Sequence, residues 1–182
     1  MAARRRQINR QRDWACAVAL RFGRGLNTGM ALTLALADEA ATESLGRRLA
    51  RLARPGDAIA LAGPLGAGKT TLARAFIRHL TSPGEEVPSP TFTLVQTYAG
   101  RTGAIWHFDL FRLVRPDEAL ELGIDDALAG GIVLIEWPER LGAALPARRL
   151  DVALGVGTAD DTRRATIDGA AWADRIADLA KP

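Results

Sequence analysis

The stretch Gly63-Pro64-Leu65-Gly66-Ala67-Gly68-Lys69-Thr70 decides the fold class of this 182-residue chain. It matches the pattern G-x-x-x-x-G-K-[ST], in which a glycine-rich turn brings backbone N–H groups against phosphate oxygens. Lys69 can supply a compact positive charge to the β- and γ-phosphates, and the Thr70 hydroxyl is placed to hold Mg²⁺. We therefore expect a nucleotide to contact the loop and the first helical turn: Gly66, Ala67, Gly68, Lys69, Thr70 and Thr71.

The rarity of lysine strengthens this interpretation. The chain has 24 basic residues, and only Lys69 and Lys181 are lysines. An arginine is a wide planar fork and a lysine is a point charge on a flexible stem, so the two are not equivalent in a tight phosphate cradle. The use of lysine at this position favours a nucleotide site over a chance glycine-rich turn.

The sequence on either side of the loop predicts a strand before it and a helix after it. Residues 58–62 are entirely apolar, as in a buried parallel strand. Apolar residues then recur at helical spacing from Leu72 to Leu80, and Pro83-Gly84 ends the pattern. This order predicts an α/β fold: a single P-loop NTPase domain whose mostly parallel central sheet is flanked by helices.

Further elements follow from alternation and helical spacing. Alternating leucines at 32–36 predict a strand, and Asp38 is placed to cap the helix that follows. Apolar alternation over 150–156 and again over 165–167 predicts a C-terminal antiparallel hairpin with its turn at 158–161. A closing helix is expected to place three apolar side chains on one face: Trp172, Ile176 and Leu179.

The composition is that of one globular domain, with 48% hydrophobic and 25% charged residues. The single cysteine, Cys16, excludes a disulfide framework and a cysteine-based metal site, so a reducing, cytoplasmic location is expected. No run of residues approaches the roughly 18 apolar positions of a membrane span, and no membrane partner is expected.

The first 29 residues differ from the rest in charge. They hold seven arginines and one acid, Asp13, which amounts to +6 and leaves −3 for residues 30–182 of a chain whose net charge is +3. This balance gives weak support for direct binding of nucleic acid by the domain. We interpret 1–29 as an Arg-rich N-terminal extension that is disordered or upstream of a natural start at Met30, with an organelle transit peptide as the alternative, and 30–182 as the P-loop ATPase domain.

Two apolar runs, 105–109 and 132–136, each end in a carboxylate, Asp109 and Glu136. The carboxyl edge of the sheet is where open α/β folds bind ligands, so an acid there can hold Mg²⁺ or orient the attacking water. The purer strand before Glu136 favours it as the metal ligand, although which acid positions the water stays open. The alternative for either acid is a helix cap or a salt-bridged carboxylate.

Other residues near these strand ends have more than one interpretation. The hydroxyls of Ser89 and Thr91, in a proline-fixed loop, either sense Mg²⁺ or the γ-phosphate or only shape the entry to a strand. Trp137 is expected beside the nucleotide, where it covers the site, meets a partner or packs at the rim. His79 and His107 lack the spacing of metal ligands and are interpreted as structural.

With these residues placed, the chain resembles the TsaE (also called YjeE) family over roughly residues 34–167. The matching blocks are Gly63 to Thr71, Ser89-Pro90-Thr91-Phe92-Thr93-Leu94-Val95, His107-Phe108-Asp109-Leu110-Phe111-Arg112-Leu113, Leu122-Gly123 and Leu134-Ile135-Glu136-Trp137-Pro138-Glu139. The phosphate loop alone is generic, and the order of the other blocks is much more specific. The chain departs from the family at Pro64, Gln96 and Phe111, where Asp, Glu and Tyr are usual.

The resemblance implies a function. TsaE proteins are small bacterial P-loop ATPases that act in the formation of threonylcarbamoyladenosine at position 37 of tRNA. The similarity implies Mg²⁺-dependent ATP binding and hydrolysis, weak in isolation and dependent on partners. Those partners would be the TsaD and TsaB proteins, with tRNA reached indirectly through the complex.

The resemblance also implies residue roles. Lys69, Asp109 and Glu136 would be catalytic, with Lys69 on the phosphates and Asp109 at the nucleotide. Thr70 and Glu136 would hold Mg²⁺. The remaining nucleotide contacts would be Glu39 and Thr42 near the adenine, and Arg163, for which Arg164 is the alternative register.

Two other functions fit a phosphate loop. A small-molecule kinase needs an acceptor pocket and usually an arginine-rich lid, for which Arg112 and Arg115 are candidates. A regulatory GTPase needs an Asn-Lys-x-Asp guanine reader, which the sequence lacks. The kinase is therefore the main alternative to the ATPase.

Overall fold

The computed structural model describes residues 31–115, 118–157 and 162–180. Its strands are β1 (Leu32–Leu36), β2 (Ala58–Ala62), β3 (Val95–Gly100), β4 (Gly103–Asp109), β5 (Gly131–Glu136), β6 (Leu150–Val156) and β7 (Arg163–Asp168). Its α-helices are α1 (Glu39–Leu52), α2 (Lys69–Leu80), α3 (Glu118–Glu121), α4 (Ile124–Gly130) and α5 (Ala173–Leu179). Two 3₁₀ segments cover Pro138–Ala144 and Ala170–Trp172.

Within the described residues, the seven strands form one sheet in the order β1-β7-β6-β2-β5-β4-β3. The central strands β6, β2, β5 and β4 are parallel to one another. The β1–β7, β6–β7 and β3–β4 pairs are antiparallel. The sheet is therefore mixed, which corrects the prediction of a mostly parallel one.

Two of the antiparallel pairs join strands that follow one another in the chain. Strands β3 and β4 form a hairpin across Gly100 and Gly103, and β7 turns back against β6. The predicted C-terminal hairpin is confirmed, although its turn at 158–161 lies outside the described residues. The N-terminal extension at 1–29 lies outside them too.

The continuous apolar strands lie at the centre of the sheet. Every residue of β2 and of β5 is buried, because each strand has neighbours on both sides and core on both faces. Alternate residues of β5 belong to different cores: Ile132 and Leu134 face the side of α1 and α2, whereas Val133 and Ile135 face the other side. By this alternation Glu136 points to the side of α2.

Helices α1 and α2 pack closely on the first of these cores. Asp38 caps α1 as predicted, accepting a 2.7 Å hydrogen bond from the Ala41 backbone N–H. At Gly46, an added Cβ would lie 2.5 Å from the Leu72 carbonyl oxygen, so a glycine permits this approach of the two helices. Both helices start at the carboxyl edge of the sheet, where the glycine-rich loop lies.

The closing helix is present and buries Ile176 and Leu179, whereas the buried Trp172 lies in the 3₁₀ segment just before it. Arg175 fastens it to the turn before β2, because its guanidinium donates to both carboxylate oxygens of Asp57 at 2.6 and 3.0 Å. Among the described helices, none combines the length and the apolar character that crossing a membrane requires.

Candidate nucleotide site

The glycine-rich loop leaves β2 in a conformation that its glycines permit. Gly63, Gly66 and Gly68 have φ angles of 148°, 77° and 98°. At Gly63 an added Cβ would lie 2.4 Å from the Leu154 carbonyl oxygen, so the backbone passes close against β6. Helix α2 starts directly after Gly68 without a side-chain cap. Its first N–H groups therefore suit an anion at the loop.

Lys69 is buried and held back against the loop. Its Nζ donates to the backbone carbonyls of Gly63 at 2.8 Å and Pro64 at 3.0 Å. The same atom lies 3.8 Å from the centroid of the Trp137 ring. Burial lowers the pKa of Lys69, and the nearby charges of Glu136, Glu139 and Asp109 oppose that shift. A bound phosphate would give this ammonium a counter-charge in place of neutral carbonyls.

Glu136 lies at the end of β5 with 2% of its surface exposed. Its Oε2 accepts a 3.0 Å hydrogen bond from the Thr70 hydroxyl, so the predicted pair of metal ligands is in direct contact. Its Oε1 lies 2.9 Å from Nε2 of His107. Both carboxylate oxygens are therefore oriented by side chains from different elements.

His107 was not expected at the site. Its ring is fully buried, and its Nδ1 has no hydrogen-bond partner among the described residues. With its proton on Nε2, the ring donates to the Oε1 that lies 2.9 Å away. This contact orients the Glu136 carboxylate.

Asp109 anchors the loop that carries the two hydroxyls. Its Oδ2 accepts from Ser89 Oγ at 2.8 Å and Thr91 Oγ1 at 2.6 Å. Its Oδ1 accepts from the Phe111 backbone N–H at 3.1 Å. A carboxylate offers about four acceptor sites, so one remains for a further donor. The strand-entry loop is thus tied to an acid that lies beside Glu136 in the β4–β5 register.

Trp137 turns the chain away at the rim of the site. It has a left-handed backbone, φ 59° and ψ 48°, which is uncommon for a residue other than glycine. Its ring lies 4.9 Å from that of Phe111, between centroids. A cavity of about 300 Å³ gathers the predicted residues: Gly66, Ala67, Gly68, Lys69, Thr70, Thr71, Asp109, Glu136 and Trp137, together with Leu65, Ser89, Thr91 and Phe111.

A second cavity of about 460 Å³ lies on the other side of the loop. It shares Gly66, Gly68 and Thr71 with the first cavity. Its other lining residues are Asp38, Glu39, Thr42 and Arg163. Arg163, rather than Arg164, is among them, and Glu39 is tied to Thr71 by a 3.4 Å hydrogen bond. The two cavities together bring every predicted site residue to one loop.

The same residues lie within a region that matches known proteins. A family model described as threonylcarbamoyl adenosine biosynthesis protein TsaE matches residues 36–165. The tRNA threonylcarbamoyladenosine biosynthesis protein TsaE of Rickettsia felis is 42% identical over 123 residues, 68% of this chain and 72% of the relative. That of Bacillus subtilis is 36% identical over 126 residues, 69% of this chain and 77% of the relative.

The likeness extends to three dimensions and to a longer alignment. The TsaE protein of Mycobacterium tuberculosis is 37% identical over 151 residues, 78% of this chain and 88% of the relative. The crystal structure of YdiB from Bacillus subtilis matches with a TM-score of 0.68 at 26% identity, over 82% of this chain and 93% of that chain. The chain belongs to the TsaE family, which acts in the biosynthesis of threonylcarbamoyladenosine in tRNA.

Proposed function

We propose that this chain is the Mg²⁺-dependent ATP-binding and ATP-hydrolysing subunit of the assembly that makes threonylcarbamoyladenosine at position 37 of tRNA, working with TsaD and TsaB. The observation that carries the proposal is the convergence of Lys69, Thr70, Asp109 and Glu136 on one cavity at a glycine-rich loop. Hydrolysis is slow in isolation and rises when the partners complete the site.

The phosphates of ATP bind to the loop and the start of α2. Backbone N–H groups there point at an anion, and the positive end of the helix favours it. Lys69 exchanges the carbonyls of Gly63 and Pro64 for phosphate oxygens. The second cavity, with Glu39, Thr42 and Arg163, receives the nucleoside.

The donor set beside the loop fits Mg²⁺, a hard cation that prefers oxygen ligands. Thr70 Oγ1 and Glu136 Oε2 lie 3.0 Å apart. Because these two oxygens lie side by side, Thr70 and Glu136 would hold the ion together. When bound, Mg²⁺ neutralises charge that develops on the phosphates during transfer.

Asp109 positions the attacking water in this proposal. Ser89, Thr91 and the Phe111 N–H fix the carboxylate, and its remaining acceptor site is free for one O–H of a water. Lys69 stabilises the charge on the transferring phosphoryl group. The bond between the γ-phosphorus and the β–γ bridging oxygen breaks as the water oxygen bonds to phosphorus. ADP leaves with that bond's electrons, and a proton of the water passes to the released phosphate.

Exposed apolar side chains around the cavity support the need for partners. Leu65, which lines the cavity, is 80% exposed, and Phe92, next to the lining residue Thr91, is 81% exposed. Phe92 lies between Thr91 and Thr93 in the hydroxyl loop, beside Arg112, whose guanidinium is 4.1 Å from its ring centroid. Large apolar side chains left in water near a site are typical of a surface that a partner covers.

The test is steady-state ATP hydrolysis by the full chain, alone and with TsaD and TsaB. The proposal expects Mg²⁺-dependent release of inorganic phosphate that is weak alone, rises with the partners and prefers ATP to GTP. A different result would establish the small-molecule kinase. In that case TsaD and TsaB do not change the rate of ATP turnover, a metabolite is needed for it, and phosphate is transferred to that metabolite. A preference for GTP would contradict the assignment of ATP.

A further inference from the structure

A group of arginines lies away from the candidate nucleotide site, on the outer side of α1 and α2. They surround an open pocket of about 470 Å³. We call Arg47, Arg74, Arg78 and Arg101 the arginine cluster; the other lining residues are Glu43, Ala75, His79 and Pro83. None of these residues lines either of the two cavities at the glycine-rich loop.

Backbone carbonyls hold three of the four guanidinium groups in place. Nε of Arg74 donates to a carbonyl at 3.1 Å, and Nε of Arg78 donates to another at 2.9 Å. Arg101 donates to two carbonyls at the C-terminal end of α2. The acceptors are the backbone oxygens of Val87, Glu85, Thr81 and His79. These contacts orient the guanidinium groups without neutralising them.

The cluster has more positive charge than its surroundings balance. Among the lining residues the one carboxylate is Glu43, 3.3 Å from Arg47 in an exposed pair of small energetic value. Burial, and then the charges of Arg51, Arg101 and Arg47, lower the pKa of His79. The lining residues therefore carry four arginines against one carboxylate, although residues 30–182 have a net charge of −3.

The chemistry of the cluster suits phosphate. A guanidinium presents a planar fork of donors that pairs with two phosphate oxygens at once. Arg74 and Arg78 are fixed through Nε, and their terminal nitrogens have no hydrogen-bond partner among the described residues. Arg47 and Arg101 are exposed at the rim, where they can follow a backbone that passes over the pocket.

We propose that the arginine cluster binds the phosphate backbone of RNA, and that the RNA is the tRNA on which this family's pathway acts. An acidic protein surface would also be attracted, but the tRNA is a phosphate-rich partner that the pathway necessarily includes. This binding of tRNA is separate from the proposed ATPase function and does not depend on ATP hydrolysis. It gives the chain a direct contact with tRNA, where the family resemblance had implied only an indirect one.

The experiment measures binding of a fluorescently labelled tRNA transcript to the full chain by anisotropy, at several salt concentrations. The double variant Arg47→Ala/Arg101→Ala removes two rim cations without opening the core. We expect at least about fivefold weaker binding near physiological salt, and a salt dependence of log K that is shallower by about one for each lost phosphate contact.

Two matched variants control for charge and folding. Arg54→Ala/Arg148→Ala removes the same charge from exposed positions that do not line the pocket, and it should bind tRNA within about twofold of the wild type. Arg47→Lys/Arg101→Lys keeps the charge and should restore the salt dependence. If Arg101→Ala unfolds the chain, the single variant Arg47→Ala replaces the double variant. By itself it is expected to weaken tRNA binding.

Three outcomes would overturn the proposal. If the cluster variant and the control variant lose tRNA affinity equally, only the total charge of the chain affects binding. Unchanged tRNA binding together with lost binding of TsaD or TsaB would make the cluster a protein-docking surface. Saturable binding of inorganic triphosphate that the cluster variant abolishes, with tRNA binding unchanged, would make it a small-anion site. ATP hydrolysis by the same variant, expected unchanged, separates this failure from a failure of the ATPase proposal.

Discussion

The pair formed by His107 and Glu136 shows how single residues determine this site. Both side chains are buried, and the 2.9 Å contact between Nε2 and Oε1 leaves Oε2 directed at Thr70. A hydrogen bond to a charged group contributes about 1.5–3 kcal/mol. The histidine therefore holds the carboxylate in the orientation that the proposed metal ion beside Thr70 would require.

A substitution of His107 should weaken use of Mg²⁺ more than binding of the nucleotide itself. We expect His107→Leu to lower the rate of ATP hydrolysis by about tenfold or more and to raise the Mg²⁺ concentration needed for tight binding, because Glu136 loses its donor. His107→Gln, whose amide N–H can replace that donor, should retain most of both. Mg²⁺ titrations of hydrolysis and of fluorescent-ATP binding measure the two effects.

The opposite result is simple to recognise. If the leucine and glutamine variants share the same Mg²⁺ dependence as the wild type, His107 only fills space in the core. A thermal melt of each variant shows whether a loss of activity reflects unfolding. Binding of the nucleotide without Mg²⁺ is the internal control, since it should not change.

At the residue scale, the sequence located residues that share one cavity where a motif fixes both identity and spacing. Lys69 and Thr70 are specified by the loop pattern, and the strand ends indicated Asp109 and Glu136. The role of His107 depends on the β4–β5 register, which pairs Asp109 with Glu136 and places His107 two residues earlier on the same face. No local pattern contains that register, so the contact was not predicted.

At the scale of elements, the close approach of α1 and α2 positions the loop. Gly46 contacts the backbone of α2, and the Leu72 carbonyl oxygen occupies the space that a Cβ would need. This contact holds the start of α1, with Glu39 and Thr42, beside the loop and its helix. The glycine is therefore a packing requirement in an otherwise regular helix.

Gly46→Ala should destabilise the fold despite the higher helix propensity of alanine. Overpacking typically costs about 1–3 kcal/mol, and each kcal/mol lowers the melting temperature of a domain this size by about 2–4 °C. Gly84→Ala is the matched control, because its added methyl group meets nothing within 4 Å. Calorimetric or circular-dichroism melts compare them, and equal melting temperatures would contradict the packing account.

The C-terminal end of α2 should make stability depend on pH. His79 has a pKa lowered from its ordinary value of 6.5, first by burial and then by Arg51, Arg101 and Arg47. As the pH falls through 6.5, the unfolded chain takes up a proton before the folded chain does, so folding loses stability. The wild type should therefore lose stability relative to His79→Gln between about pH 7.5 and 5.5.

Urea unfolding at several pH values measures this difference. A free-energy difference between wild type and variant that stays constant over the range would contradict the lowered pKa. If the wild type instead becomes more stable than His79→Gln as the pH falls, the pKa of His79 is raised on folding and not lowered.

At the scale of the whole molecule, the sequence predicted the centre of the sheet better than its edges. The apolar runs of β2 and β5 are buried on both faces, and such runs are typical of central parallel strands. The antiparallel β6–β7 hairpin was predicted, but the antiparallel pairing of β3 with β4 and of β1 with β7 was not. These pairings depend on a short turn and on which neighbour each strand finds, and neither leaves a periodic pattern in the sequence.

Single-turnover cleavage of ATP by Glu136→Gln, in the full chain with TsaD and TsaB, tests the central claim most directly. The glutamine keeps the shape of Glu136 but removes the charge that would hold Mg²⁺ beside Thr70. The account predicts ATP binding within a few-fold of the wild type and cleavage slower by about 100-fold or more, while the exposed control Glu121→Gln cleaves normally. Cleavage by Glu136→Gln at the wild-type rate would contradict it.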